Sequence, residues 1–333
     1  HFEVEIGGRR IEEEDIEALL LAAREGLEPD GRMVLHAQPA HYTLDGAHGV
    51  SKPQGLHAER LGVDIHVMLA DGAPVRNITE AVQNAHLEVE GVVASPVAAG
   101  LAVLSQEERE LGVALVEIGA QVTNVSVFAA GMVLGMVAIP HGSADMTDAI
   151  ASVFGIRRFQ AERLKCRFGS AVASPADHRD MIPVNGPGDT PAGPQARGAD
   201  EANRIPRAEL IAVITGELDR LLARVADSLK QMGFSGARGQ QVVLTGGGAE
   251  LAGLADYAQG SLGKPVRIGK APGLPGLAEA HCTPSFTTLA GLMQYAALDP
   301  VDIRSLSARR QTVHRLSGMQ IARRVAQAVK EYF

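Results

Sequence analysis

Two glycine-rich turns hold the residue types that most directly suggest chemistry. The first turn contains Glu117, Gly119 and Asn124 after an apolar run, and the second is formed by the three glycines at 246–248. Glycines that follow a strand let backbone N–H groups approach a phosphate or a nucleobase closely, and the N-terminus of a following helix favours negative charge. The triple glycine alone is equally typical of a tight turn without a ligand, and the first turn alone is best interpreted as a plain meander turn, so the surrounding elements decide the interpretation.

Other reactive residue types are few or scattered. Cys166 and Cys282 are the only cysteines, too few for a disulfide framework or a four-thiolate zinc site, and they favour a reduced compartment. The five histidines from His36 to His66 have spacings that fit no short metal signature. No serine stands in a nucleophile-elbow pattern. The sequence therefore predicts neither a metal centre nor a catalytic nucleophile.

Hydrophobic spacing predicts the elements that position the two turns. Apolar runs at 113–118, 123–128 and 132–138, separated by short turns, predict an antiparallel meander, and a helix at 146–154 is predicted to follow it. A buried strand at 242–245 is predicted directly before the triple glycine. The first glycine turn therefore joins two strands, whereas the second leads from a strand into a helix.

The flanking segments predict a long helix, a loop and a small βαβ-like unit. Apolar residues at steps of three and four predict a helix at 207–232, and the proline- and glycine-rich stretch 173–206 predicts a surface loop without a regular element. Near the N-terminus, a strand at 34–37 is predicted to end at Pro39. A short strand at 92–94 is predicted to complete the βαβ-like unit.

Composition limits the class of protein. The chain has 333 residues, of which 46% are hydrophobic, and this fraction excludes global disorder. The net charge of −8 argues against a body that binds nucleic acid. No apolar run is long enough to predict a membrane-spanning helix. The chain begins with His1 and lacks a signal-peptide pattern, so we expect a sequence that is incomplete at its N-terminus.

The C-terminal segment is basic and amphipathic. Residues from Arg304 onward carry a charge of about +6, so the rest of the chain is strongly acidic. Placed at helical steps, residues 319–333 separate into an apolar face with Ile321, Val325, Val329, Tyr332 and Phe333, and a polar face with Arg323, Arg324 and Lys330. This pattern predicts an interfacial helix on an anionic membrane surface. The alternative is a C-terminal helix that packs on the body.

A combination of motifs links the two turns, which stand about 125 residues apart. These motifs are the segment 107–113 before the meander, Ile139-Pro140 with Gly142, Thr147, Asp148, Ile150 and Ala151 after it, the segment 161–165, the strand and glycines at 243–249, the segment 266–269, and the short runs 4–7 and 34–36. In this order they resemble the FtsA family of actin-like bacterial cell-division proteins. The resemblance covers nearly the whole chain.

The resemblance implies an α/β fold of the actin, Hsp70 and sugar-kinase superfamily, N-terminally incomplete, with an extra α+β subdomain and a C-terminal amphipathic helix. The resemblance also implies how the chain is divided. The extra subdomain is at 1–66, a remnant of the first actin-like subdomain is at 67–112 and 287–303, and the phosphate and adenosine-turn subdomain is at 113–152 and 236–286. The FtsZ-tail-docking subdomain is at 153–235, and a tether with the membrane helix is at 304–333.

The resemblance also implies a site for ATP and magnesium. Glu117, Gly119 and Asn124 would lie on the second phosphate loop, Glu162 and Lys165 on the helix that faces ribose and adenine, and Gly246, Gly247 and Gly248 on the adenosine turn. The family pattern has aspartates where this chain has Glu117 and Asn124, and a glycine where it has Gln121. The family's first phosphate loop is absent from this sequence. We therefore expect no ATP hydrolysis, and weak nucleotide binding through the remaining half stays open.

The resemblance implies that the chain would be an adaptor that tethers FtsZ filaments to the inner face of the cytoplasmic membrane at the division septum. Its implied partners are the short, partly acidic FtsZ tail, an anionic membrane, later division proteins and further copies of itself, with no nucleic acid. Arg220 and Arg224 on the long predicted helix are the expected contacts of the FtsZ tail. Two alternatives stay open: an ATP-hydrolysing enzyme of the superfamily, and a nucleotide-free polymerising scaffold.

Overall fold

The protein is described by a computed structural model over residues 1–185, 204–235, 240–273 and 278–306. Two compact units divide the chain. The first comprises His1–Val93 and the segment that begins at Asp299, and the second comprises Ala94–Leu298. Each unit has its own buried apolar core.

The first unit is built on a four-stranded antiparallel sheet. Its strands are β1 (Phe2–Glu5), β2 (Met33–Leu44), β3 (Ala47–Val50) and β4 (Arg60–Ala70), in the order β1-β4-β2-β3. Helix α1 (Glu13–Glu25) begins with acidic residues, which complement the helix dipole, and its buried Leu19 and Leu20 share a core with Leu61 and Ile303. Helix α2 (Gly72–Asn84) follows β4.

Two predictions about strands in residues 34–94 are wrong. Strand β2 continues through Pro39, because the pairing with β4 is irregular between Pro39 and His41, where a missing N–H is tolerated. Residues 92–94 form no strand, and helix α3 (Ser95–Val103) begins directly after them with a proline in its first turn. The predicted βαβ-like unit is therefore absent from this described part of the chain, since β4 pairs antiparallel with both of its neighbours.

The second unit is built on a five-stranded sheet with the order β11-β10-β5-β6-β7. The strands of this unit are β5 (Val113–Ile118), β6 (Thr123–Ala129), β7 (Met132–Ile139), β8 (Met181–Pro183), β9 (Arg204–Pro206), β10 (Gln241–Thr245) and β11 (Val266–Ile268). The antiparallel meander of β5, β6 and β7 is confirmed, and β10 runs parallel to both β5 and β11.

Helices cover this sheet and extend the unit. Besides α3, they are α4 (Gln106–Leu111), α5 (Ser143–Phe154), α6 (Arg158–Phe168), α7 (Arg207–Gln231), α8 (Leu254–Leu262) and α9 (Thr287–Leu298). The predicted long helix is confirmed as α7, whose apolar residues at steps of three and four, from Leu210 to Leu229, are buried in the core. Burial of each such leucine contributes about 1.5–3 kcal/mol, so the packing of this stripe fixes the position of α7.

The prediction that 173–206 contains no regular element is wrong at both of its ends. Residues Pro175–His178 form a short 3₁₀ helix, and β8 pairs antiparallel with β9, so that Met181 faces Pro206. Prolines are compatible with this two-stranded ribbon because they lie at its ends and edges, where a ladder N–H is not required. The buried Asp177 joins this segment to α7 through Arg207 at 3.0 Å. Residues 186–203 lie outside the described part of the chain.

Candidate functional site

The two glycine turns lie side by side at one edge of the sheet of the second unit. Strands β5 and β10 are adjacent and parallel, and Glu117 at the end of β5 faces Thr245 at the end of β10. In open α/β sheets, ligands bind beyond the carboxyl ends of such strands. The structure therefore brings together the predicted phosphate-loop residues and the predicted adenosine turn, which are far apart in the sequence.

The carboxylate of Glu117 is occupied by internal hydrogen bonds. Its Oε2 accepts from the Ser95 hydroxyl at 2.9 Å and from the Asn124 amide at 3.2 Å, and its Oε1 accepts from the Thr288 hydroxyl. Asn124 also donates to the Ser95 oxygen at 3.0 Å. Ser95 and Thr288 lie in the first turns of α3 and α9, where the helix dipole favours a negative charge. Glu117 thus joins the end of β5 to the starts of two helices.

The loop after Glu117 caps helix α5. The carbonyl of Gly119 accepts from the backbone N–H of Ser143 at 2.9 Å, and the carbonyl of Ala120 accepts from that of Ala144 at 2.7 Å. A side chain at Gly142 would meet the Ala120 carbonyl oxygen at 2.5 Å, so only glycine fits between loop and helix. N–H groups at the start of a helix are the ones that would bind a phosphate. In this chain, two of these N–H groups already donate to carbonyl oxygens of the loop after Glu117.

The three glycines of the second turn have different surroundings. Gly246 has a φ of +83°, and an added Cβ would lie 2.5 Å from the carbonyl oxygen of Ile118. Gly248 is buried, and an added Cβ would overlap the Ile118 side chain. Gly247 is exposed, with its nearest neighbour, Ser285 Cβ, at 3.8 Å. Gly246 and Gly248 therefore allow the turn to pack closely against Ile118 of β5, and Gly247 is the glycine that a ligand could approach.

Glu162 and Lys165 form a polar cluster beside the start of α5. Lys165 is buried and donates to the Ser143 carbonyl and the Thr147 hydroxyl, each at 2.9 Å, and its ammonium lies 2.8 Å from Glu162. Burial alone would raise the pKa of Glu162, but hydrogen bonds from Lys165 and Thr147 lower it below its ordinary value. The ammonium of Lys165 is thus held by contacts within α5 and α6, whereas the side chain of Glu162 is half exposed.

These contacts do not fit a magnesium ion at Glu117. A magnesium site needs free carboxylate oxygens or bound waters in octahedral geometry, and both oxygens of Glu117 already accept hydrogen bonds from protein donors. Ser95 and Thr288 were not foreseen by the sequence analysis, because nothing local marks them. Thr288 stands 171 residues from its partner.

A second polar feature is a groove between α5 and α7 with a volume of about 550 Å³. The two arginines expected to contact a partner, Arg220 and Arg224, both line it. The remaining lining residues, which the sequence analysis did not single out, are His141, Asp145, Asp148, Ala149 and Glu217. The only sequence signal for them is the spacing of Glu217 and Arg220, which places opposite charges one helical turn apart.

Acidic and basic groups in this groove are mostly compensated. Asp148 pairs with Arg158 at 2.6 Å, Glu217 pairs with Arg220 at 2.5 Å, and Asp145 accepts the Gly142 N–H at 2.7 Å. Arg224 is exposed and has no ion pair among the described residues. Among the described residues, the groove therefore offers one cation without an ion pair, a second that is shared with Glu217, and one carboxylate, Asp145, that is held by a backbone N–H instead of a cation.

Comparison with known proteins supplies the family. The family model described as "Cell division protein FtsA" matches residues 114–291, and the one described as "SHS2 domain inserted in FTSA" matches residues 1–69. The cell division protein FtsA of Agrobacterium fabrum is 36% identical over 330 residues, which are 99% of this chain and 73% of that protein. The protein of Escherichia coli K12 is 30% identical over 293 residues, which are 88% of this chain and 69% of that protein.

The chain belongs to the FtsA family. Membership assigns this FtsA-family protein to cell division. The predicted actin-like α/β fold with an extra α+β subdomain is confirmed. Among solved structures, the PilM–PilN type IV pilus biogenesis complex aligns with a TM-score of 0.51 and 18% identity, covering 87% of this chain and 74% of that chain. At this identity the likeness concerns the fold alone.

The predicted membrane residues of this FtsA-family chain lie outside the described part of the structure. They comprise Ile321, Val325, Val329, Tyr332, Phe333, Arg323, Arg324 and Lys330. Within residues 1–185, 204–235, 240–273 and 278–306, no helix is both long and apolar enough to cross a membrane. The amphipathic helix at 319–333 therefore stays a prediction.

Proposed function

We propose that this FtsA-family protein is an adaptor that tethers FtsZ filaments to the inner face of the cytoplasmic membrane at the division septum. One surface binds the FtsZ tail, and the C-terminal segment binds the lipid surface. Copies of the protein associate with one another and recruit later division proteins. The observation that carries the proposal is the α5–α7 groove on a protein of this family, in which Arg224 has no ion pair within the described part of the chain.

The charge of the groove suits a short acidic segment. A carboxylate can pair with the exposed Arg224 without displacing an existing ion pair, and Arg220, whose side chain is 71% exposed, is within the same groove. Asp148 and Glu217 are each neutralised by an arginine, so their repulsion of an acidic peptide is reduced. A basic or neutral segment would gain no such pairing with Arg224.

Membrane attachment is proposed from the sequence of residues 319–333. The apolar face supplies insertion and the arginines and lysine supply attraction to anionic lipid, each basic residue contributing about 1 kcal/mol near the surface. The face has no tryptophan. Reversible attachment is therefore favoured over permanent anchoring.

The proposal includes no ATP hydrolysis by this chain. The internal hydrogen bonds of Glu117, together with Gln121 and Asn124 in place of the family's residues, oppose a catalytic magnesium site. Contact with a nucleoside at Gly247 and Glu162 would be weak and independent of magnesium at Glu117. Phosphate release should equal that of a blank, and turnover that is abolished by Glu117→Ala would contradict this part of the proposal.

Fluorescence anisotropy with a labelled FtsZ tail peptide tests the docking surface. Arg224→Glu places a like charge against an acidic peptide and should weaken binding by about tenfold or more, which corresponds to about 1.4 kcal/mol. Arg179→Glu, an exposed arginine outside the groove, is the matched control and should leave the affinity unchanged. Equal affinities for wild type and Arg224→Glu would exclude the groove as the docking site.

A further inference from the structure

At the buried side of the α5–α7 groove, one carboxylate lies between an arginine and a histidine. Glu217 pairs through Oε1 with Arg220 Nη1 at 2.5 Å, and its Oε2 lies 3.7 Å from His141 Nε2. The latter separation is about 0.9 Å longer than a charge-assisted hydrogen bond. The side chain of Glu217 is only 12% exposed, whereas that of Arg220 is 71% exposed. Glu217 is therefore fixed near His141, and Arg220 is free to turn outward.

His141 has a buried nitrogen without a hydrogen-bond partner. The residue is 7% exposed, and Nε2 has no partner among the described residues. Its backbone is held at the end of β7, where its carbonyl accepts the Thr123 hydroxyl and its N–H donates to the Ile139 carbonyl, each at 2.8 Å. A small rotation of Glu217 would bring its Oε2 within hydrogen-bond distance of Nε2, which is favourable because an unsatisfied buried polar atom is costly.

The charged groups around His141 come from the two helices that form the groove. Helix α5 contributes Asp145 and Asp148, and helix α7 contributes Glu217, Arg220 and Arg224. Asp145 and Asp148 are held by the Gly142 N–H and by Arg158, respectively. Glu217 is therefore the acid of this set that has both an arginine and His141 as neighbours.

We propose that an acidic peptide bound in this groove takes Arg220 from Glu217, and that Glu217 then pairs with a protonated His141. The peptide carboxylate replaces Glu217 as the partner of the guanidinium, and His141 takes one proton from solvent. One added negative charge is thus balanced by one added positive charge. This inference rests on the proposed docking of an acidic tail and adds that binding is coupled to the uptake of a proton.

The sign of the pH effect follows from this exchange. Because the complex holds one more proton than the free components, lower pH favours binding and higher pH opposes it. A single coupled proton changes the affinity by at most about tenfold per pH unit.

Titration of the full chain with an FtsZ tail peptide that contains no histidine tests this coupling. For wild type, affinity should fall severalfold from about pH 6 to pH 8, and calorimetry in two buffers of different ionisation enthalpy should detect uptake of close to one proton. His141→Gln should remove both effects. The exposed His178→Gln, outside the groove, is the matched control and should retain them.

A second variant tests the coupling even if His141→Gln does not fold. Glu217→Gln weakens the hold on Arg220, so it should bind the peptide more tightly than wild type at about pH 8 and should take up no proton. Binding that is independent of pH, or proton uptake that persists in Glu217→Gln, would overturn the coupling while leaving the docking intact. No binding of the peptide at any pH would overturn the docking proposal and the coupling together.

Discussion

At the scale of single residues, internal hydrogen bonds hold Glu117, which the resemblance places on the second phosphate loop. Donors from Ser95, Asn124 and Thr288 reach the same carboxylate and join α3, β6 and α9 to the end of β5. An aspartate at this position would be shorter by one methylene and could not reach all three donors from the same backbone position. The longer side chain of Glu117 therefore suits a chain that has Asn124 as a hydrogen-bond donor beside it.

Replacement of Glu117 should lower the free energy of unfolding. Glu117→Ala removes hydrogen bonds from Ser95, Asn124 and Thr288, of which Asn124 keeps its bond to Ser95, and should lower the free energy of unfolding by about 1–3 kcal/mol. Urea denaturation measures this change, and the exposed Gln121→Ala should stay within about 0.5 kcal/mol of wild type. A Glu117→Ala protein as stable as wild type would show that these hydrogen bonds contribute nothing.

The ion pair of Glu108 and Arg267 predicts a pH dependence of stability. Burial alone would raise the pKa of Glu108, but hydrogen bonds from the Ser105 backbone N–H and from Arg267 lower it below its ordinary value of 4.5. A carboxyl group whose pKa is lowered in the folded state stabilises it above the unfolded pKa and loses this contribution as pH falls through the folded pKa.

Unfolding of the wild-type chain should therefore become easier as pH falls below the ordinary Glu108 value of 4.5. Glu108→Gln, which cannot titrate, should show a shallower loss over this acid range. Glu110→Gln, an exposed neighbour on the same helix, is the control. Parallel acid unfolding curves for wild type and Glu108→Gln would contradict the assignment.

At the scale of elements, the spacing of hydrophobic residues predicts the long and regular helices and strands. Helix α7 and the meander could be predicted because each has many residues in one pattern. The mistaken strand at 92–94 has only three apolar residues, which cannot be distinguished from the approach to a helix. The ribbon of β8 and β9 was missed because its pairing joins residues across a proline- and glycine-rich stretch, and local composition does not show such pairing.

The candidate site was predicted in its position but not in its contacts. The two turns were expected to share a site, and parallel pairing of β5 with β10 places them together. The capping of α5 by the loop carbonyls, the role of Thr288 and the groove at His141 all depend on residues distant in the sequence. Spacing along one chain segment carries no signal for such contacts.

The glycines of the second turn offer a direct comparison within one element. Gly248→Ala forces a methyl group into the Ile118 side chain and should lower stability by about 1–3 kcal/mol. Gly247→Ala adds its methyl group where the nearest atom is 3.8 Å away and should change stability by less than about 0.5 kcal/mol. Thermal unfolding followed by circular dichroism compares the two. Equal destabilisation by both substitutions would contradict the packing role assigned to Gly248.

At the scale of the whole molecule, the charge distribution separates two tasks. The net charge of −8 includes a strongly basic C-terminal segment, so the body and this segment favour different partners. The groove that contains Arg224 lies within the second unit, whereas Val325 and its neighbours belong to the C-terminal segment. The proposed adaptor role needs both tasks at once, since one molecule would have to bind the FtsZ tail and the lipid together.

Recruitment of fluorescent FtsZ to a supported bilayer that contains anionic lipid tests the adaptor proposal most directly. Wild-type chain should bring FtsZ to the bilayer, and added salt should weaken this recruitment because the basic residues are screened. Val325→Glu puts a charge on the apolar face and should abolish most recruitment of FtsZ because the chain no longer binds lipid. Arg224→Glu should also abolish most recruitment of FtsZ, although the chain still binds lipid. The exposed Val153→Glu and Arg179→Glu should recruit FtsZ as wild type does. Recruitment that is equal for wild type, Val325→Glu and Arg224→Glu, or absent for wild type, would contradict the account.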